Sequence, residues 1–202
     1  MTIGPADQIR DLLDERFSAR EKAITGSRKV IRASANGIRA LHRGEWSRAD
    51  ELIAEAKRLL DDIVNALDGH HELLHAGFVN DAAKEYAEAA ITRAIFRQEQ
   101  VPGFEDLGID PVPFLHGLGE AVGEMRRRML DMLRDERIEE AKGLLEQMDN
   151  IVDELATFDY PDGMTAGLRR TTDVSRSLVE RSRSDLTTTV VQERLREDLR
   201  ES

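Results

Sequence analysis

The chain has 202 residues, is 40% hydrophobic and 34% charged, and carries a net charge of −11. That size and balance suit a globular protein with a substantial core and exclude a disordered polyelectrolyte. It has no cysteine, which excludes disulfides and thiolate metal sites, and no apolar run nears the roughly 20 residues of a membrane span.

The N-terminal MTIGPADQIRDLL lacks the basic-then-apolar pattern of a signal peptide, so a cytoplasmic location without membrane contact is expected. Aromatics are only 4%, and Ala, Leu, Glu and Arg dominate, which is the composition of helices. An all-α fold is therefore expected. The cations are 24 Arg against 5 Lys. An acidic, Lys-poor, Arg-retaining chain fits a surface adapted to high salt, and it fits an ordinary acidic protein equally well.

A 3.6-residue periodicity runs nearly throughout. A first helix is expected from Pro5 to about Arg43, with Ile9, Leu12, Leu13, Phe17, Ile24, Val30, Ile31, Ile38 and Leu41 as its apolar stripe. Gly44 should stop it, and Ser47 should cap a second helix through about Leu67. Asp68-Gly69 marks a break before a third helix from about His71 to Phe96. The Pro- and Gly-rich stretch Val101–Pro113 reads as the one real loop. A fourth helix is expected from Phe114 to about Arg134 and a fifth to about Thr157. Tyr160-Pro161-Asp162-Gly163 reads as a turn, with a sixth helix from about Met164. Residues 1–190 thus read as a single helical domain, and 191–202 as a charged tail that frays.

Shifting the chain by 92 positions aligns Leu41 with Leu133, Trp46 with Ile138, Ala49 with Ala141, Leu52 with Leu144 and Ile63 with Leu155. Both segments read as helix, short turn, helix. They are either two related hairpins or two amphipathic hairpins that align by chance.

Two acidic pairs stand out. Glu85 and Glu88 are i, i+3 on the third helix, in a seam that runs through Leu74, Phe78, Asp81, Thr92 and Ile95. Glu120 and Glu124 are i, i+4 on the fourth. Like charges at such spacing cost roughly 0.2–0.5 kcal/mol per pair on an isolated helix, and more when half-buried. One explanation is a divalent cation, since Mg²⁺ takes oxygen ligands from one or two carboxylates and keeps several waters. The other is neutralisation by Arg or plain exposure, the ordinary fate of helical Glu.

Basic residues recur as Arg28, Lys29, Arg32, Arg39 and Arg43 on the first helix, as Arg126-Arg127-Arg128 on the fourth, and as Arg169, Arg170, Arg176, Arg181 and Arg183 on the sixth. In an acidic chain these are local exceptions suited to phosphate, or partners for the abundant Glu and Asp. Glu72-Leu73-Leu74-His75 is a single Glu-x-x-His. A ferritin-like di-metal carboxylate protein needs that motif on two helices, so His70, His71 and His75 read as surface residues.

Three segments carry a family resemblance: SREKAITGSRKVIRASANGIRALHRGEW, then GFVNDAAKEYAEAAI (Gly77 to Ile91), then PFLHGLGEAVGEMRRRML (Pro113 to Leu130). In order and spacing they resemble the translin family, as does the tail GLRRTTDVSRSLVERSRSDLT, so the likeness spans about residues 15 to 190. It implies a six- to seven-helix bundle that closes into a hollow homo-oligomer, by resemblance an octamer, and binds single-stranded RNA or DNA. The family has a binding kind and a catalytic kind, the latter a Mg²⁺-dependent endoribonuclease. The catalytic kind's acids fall on Glu85, Glu88 and Glu120, with Asp in place of Glu at the last. Glu124 matches a Glu found in both kinds and is implied as a further metal ligand. The chain is thus similar to the catalytic kind. RNA contacts are expected from Arg28, Arg32, Arg39, Arg43, Arg126, Arg127 and Arg128. A binding-only translin-like protein and a ferritin-like di-metal protein are the alternatives.

Overall fold

Alanine and glycine decide how closely the helices of this chain approach one another. The computed structural model describes residues 4–201, and every regular element among them is helical. In chain order these are α1 (Gly4–His42), α2 (Trp46–Ala66), α3 (His71–Leu74), α4 (Gly77–Phe96), α5 (Phe104–Leu107), α6 (Pro111–Arg134), α7 (Ile138–Ala156), α8 (Asp162–Thr165) and α9 (Leu168–Glu201). None is long and apolar enough to cross a membrane. Two compact units result, the first ending at Pro113 and the second beginning at Phe114.

In the first unit α4 is buried on nearly every side, because Ala82, Ala83, Ala87, Ala89, Ala90 and Ala94 give it almost no girth. Helices α1 and α2 pack on it and on each other. A Cβ on Gly26 would lie 2.7 Å from Ile63 Cγ1, and one on Gly37 would lie 2.9 Å from Ile53 Cγ1. In the second unit Met125, Met129, Met148, Leu155 and Val179 fill the core. There Gly119 brings α6 against α9: its Cβ would fall 2.5 Å from Thr171 Cγ2, and Ser175 Oγ donates to the Gly119 carbonyl at 2.9 Å. His116 ties α6 to α8 and α9. Its Nε2 donates to the Thr165 carbonyl at 2.9 Å, which leaves Nδ1 to accept from the Thr171 hydroxyl at 2.8 Å.

Several boundaries differ from the sequence expectation. Helix α2 begins at Trp46, and the preceding Glu45 makes no side-chain cap, so Ser47 lies inside the helix. The reversal is closed by backbone bonds instead, Glu45 N to Ala40 O at 2.9 Å and Gly44 N to Leu41 O at 3.0 Å, with Gly44 at φ +71°. The expected third helix is two helices, broken where Ala76 turns extended (φ −69°, ψ 146°) and Asn80 Nδ2 donates to the His75 carbonyl. The expected loop holds α5, whose first turn is closed by Gly103 N–H donating to Asp106, and α6 starts at Pro111, a residue suited to a first turn. The expected sixth helix is split into α8 and α9 by left-handed residues at Ala166 and Gly167. Residues 192–200, expected to fray, are helical and largely exposed.

The internal echo extends to individual hydrogen bonds. The α6–α7 turn repeats the α1–α2 turn 92 positions later, with Arg137 N to Met132 O at 2.9 Å and Glu136 N to Leu133 O at 3.2 Å. Glu136 occupies the place of Gly44 and shares its left-handed backbone, φ +59°. A non-glycine residue is strained there. Glu136→Gly should therefore raise stability by up to about 1 kcal/mol. Gly119→Val should lower it by roughly 1–3 kcal/mol, because α6 and α9 must separate. Urea unfolding midpoints measure both.

Candidate acidic site and cationic faces

The run Lys84-Glu85-Tyr86-Ala87-Glu88 consists mostly of good helix formers, so the two acids share a face of α4 one turn apart. The structure brings them together: a carboxylate oxygen of each lies within 4.8 Å of the other. Their surroundings differ. Glu85 is half-buried, with Lys84 Nζ 3.4 Å from its Oε1, whereas Glu88 is only 9% exposed. Burial deepens along the seam from exposed Asp81 through Glu85 and Glu88 to Thr92, whose buried hydroxyl has no hydrogen-bond partner among the described residues. A carboxylate is kept in such a place only where positive charge or hydrogen-bond donors compensate the lost water. Two hard oxygen donors at this separation are the donor type that Mg²⁺ takes.

In the second unit α6 carries Glu120 and Glu124 on successive turns, both half-buried, beside the small residues Gly119 and Gly123 that face α9. The three arginines that follow have separate environments. The Arg126 guanidinium is 19% exposed and spans to α9, donating to Ser182 Oγ at 2.8 Å and Asp185 Oδ2 at 2.7 Å. Arg127 is exposed. Arg128 is half-buried, and its pKa is lowered by burial and then by Arg137, against the opposing pull of Glu140 and Asp131.

On α1, Arg28, Lys29 and Arg32 are exposed and make no ion pair among the described residues. Arg39 donates to Asn36. Arg43 grips Glu45 through two bonds of 2.7 and 3.0 Å, which raises the Arg43 pKa and lowers that of Glu45. Beyond the sequence expectation, His42 meets Phe96 edge-on at 5.2 Å. Asp50 binds Arg93 at 2.5 Å and Arg97 at 2.6 Å, and Arg97 lies over the Trp46 ring. No spacing rule reveals these contacts, because they join separate helices. The Glu-x-x-His motif does not converge: Glu72 pairs with Arg16 at 2.7 Å, and His75 with Asp110 at 3.1 Å.

No family model matches the sequence. An uncharacterized protein of Methanocaldococcus jannaschii is 27% identical over 206 residues, spanning 99% of this chain and 89% of that protein. The crystal structure of AfC3PO superposes with a TM-score of 0.85 at 30% identity, covering 93% of this chain and 98% of the other. AfC3PO in complex with duplex RNA gives 0.85 at 32% identity, covering 93% and 97%. NeC3PO in its apo form gives 0.84 at 18% identity over 94% and 99%, a likeness of fold.

The contrast between neighbouring arginines is open to measurement. Arg126→Met should cost about 1 kcal/mol by breaking the tie between α6 and α9. Arg127→Met should cost less than about 0.5 kcal/mol. Thermal unfolding of the two variants beside the unaltered chain reads the difference.

Proposed function

The chain belongs to the translin family, and from that premise we propose that it binds RNA and cleaves single-stranded RNA as a Mg²⁺-dependent endoribonuclease. The observation that carries this reading is the acidic pair on α4, with Glu88 held in a buried position beside Glu85. Glu85 and Glu88 are the proposed ligands from the first unit. Glu120, with Glu124 one turn further along α6, supplies the rest of the set by family resemblance. Bound there, Mg²⁺ would polarise the scissile phosphate and make its own water more acidic. A carboxylate left outside the coordination shell then accepts the proton of the attacking water.

The cations supply binding. Exposed Arg28, Arg32 and Arg127 are the freest to meet phosphate, whereas Arg39, Arg43, Arg126 and Arg128 first exchange or share a partner. Aromatics are few, so the reading assigns recognition to the backbone, with weak sequence preference and tolerance of single-stranded DNA. That AfC3PO has been captured with duplex RNA supports RNA as the partner class and adds a paired substrate to the test. Self-association completes the proposal. Ile9, Leu12, Leu13 and Phe17 leave an apolar stripe exposed on α1, and the family resemblance implies a closed homo-oligomer, an octamer.

Labelled single-stranded RNA, duplex RNA and single-stranded DNA, each incubated with Mg²⁺ or chelator, test the activity. Single-stranded RNA should be cut only with the metal. Glu88→Gln keeps size and helix propensity but removes a ligand charge, so cleavage should fall at least ~100-fold while RNA affinity holds or rises. Full cleavage by that variant would remove Glu88 from the active site, and no Mg²⁺-dependent cleavage by the unaltered chain would leave a binding-only protein. Affinity for single-stranded RNA should weaken with salt, with a log–log slope of about −0.7 per phosphate neutralised. Light scattering should give a mass several times 22.8 kDa, and a monomer would remove the closed assembly.

A further inference from the structure

A serine or threonine inside a helix has a ready acceptor in the carbonyl four residues back. Thr172, Ser175, Ser182, Thr187, Thr188 and Thr189 on α9 all donate to it, at 2.8–3.1 Å. Thr92 on α4 does not. It is 0% exposed, and its Oγ1 has no hydrogen-bond partner among the described residues, so the Glu88 carbonyl four residues back does not receive its hydrogen. A buried hydroxyl left without a partner weakens the fold that holds it.

Two other buried hydroxyls, Ser27 and Ser34 on α1, share that state. Their surroundings along the helix differ from those of Thr92. Within one turn of them stand Ala23, Ile24, Val30, Ile31, Gly37 and Ile38, whose side chains offer no group that binds an ion. Thr92 shares its face with acids: Glu85, Glu88 and Thr92 lie within about 60° of one another around α4. Helical side chains lean toward the N-terminus, so Thr92 covers the turn that carries Glu88. On the next turn Ile95 and Phe96 are buried and apolar, which makes Thr92 the inner end of the polar seam that opens at exposed Asp81.

A carboxylate that binds an ion through one oxygen keeps lone pairs on the other, and metal ligands are normally fixed by hydrogen bonds from a second layer of residues. Threonine suits that task here. Its hydroxyl donates without bringing a positive charge that would compete with the ion, and its β-branched stem allows few rotamers. We propose that Thr92 is a positioning residue of the acidic site, donating its hydroxyl hydrogen to the Glu88 carboxylate when that carboxylate holds a divalent cation. The inference rests on the reading of Glu85 and Glu88 as metal ligands. It assigns the hydroxyl opposite effects in two states: it lowers stability in the metal-free chain and raises affinity for the ion, a trade of stability for function.

Manganese titration of the full chain, with free Mn²⁺ read by its paramagnetic resonance signal, tests the role beside thermal unfolding in chelator. The site is identified as the bound Mn²⁺ that Glu88→Gln lacks. Thr92→Val keeps the branched shape and removes the hydroxyl, so it should bind Mn²⁺ at least ~10-fold more weakly while unfolding in chelator at or above the normal temperature. Thr92→Ser keeps the hydroxyl and loses a methyl group, so it should unfold at a lower temperature yet bind Mn²⁺ nearly as well as the unaltered chain. Affinity and stability thus move in opposite directions, whereas a purely structural threonine would move them together. Normal Mn²⁺ affinity in Thr92→Val, or unfolding of that variant well below the unaltered chain in chelator, would overturn the role of Thr92 and leave the metal site standing. An unaltered chain without any Mn²⁺ that Glu88→Gln lacks would instead remove the metal reading itself, and this role with it.

Discussion

Holding a carboxylate inside a helical unit is the constraint on which the rest of this structure depends. Glu88 sits on a helix in which six of twenty residues are alanine, closely packed by α1 and α2. Alanine solves two problems at once. It gives α4 high helix propensity, which holds Glu85 and Glu88 one turn apart, and it lets the neighbouring helices come near enough to withdraw the site from bulk water. Low dielectric strengthens the attraction of any cation to the pair and raises the cost of leaving it uncompensated. Gly26 and Gly37 continue the same strategy on α1, where a single added methyl group would strike Ile63 or Ile53.

The same tight packing makes α4 a partition. One face presents carboxylates, and the other presents a phenol and a guanidinium. A helix built from large side chains would have merged these faces into a core, whereas a thin one can serve both. This arrangement also explains why α4 shows so little amphipathic contrast along its sequence. Its surroundings are protein nearly all the way round, and polarity changes with chemistry rather than with exposure.

What the sequence revealed follows from the range of the forces involved. The end of α1 at Gly44, the 92-residue echo and the pairing of Glu85 with Glu88 depend on residues within a turn or two of each other, so spacing exposes them. The break at Ala76 was not legible, because it accompanies bonds such as His75 to Asp110 that reach 35 positions along the chain. Neither was the state of Arg126, whose partners Ser182 and Asp185 are 56 and 59 positions away. The resemblance of the Lys84–Ala89 run pointed to acids of catalytic type, but only the fold shows that Glu88 is buried and Asp81 is not.

The central claim is that the acidic pair on α4 is a divalent-metal site rather than a structural pair. Crystals soaked in Mn²⁺, an oxygen-seeking ion with a strong anomalous signal, examine it directly. An anomalous peak bonded to the carboxylates of both Glu85 and Glu88, lost in Glu88→Gln crystals, is the result this account expects. Carboxylates paired only with protein cations, with no peak between them in crystals of a protein that still cleaves RNA, would contradict it.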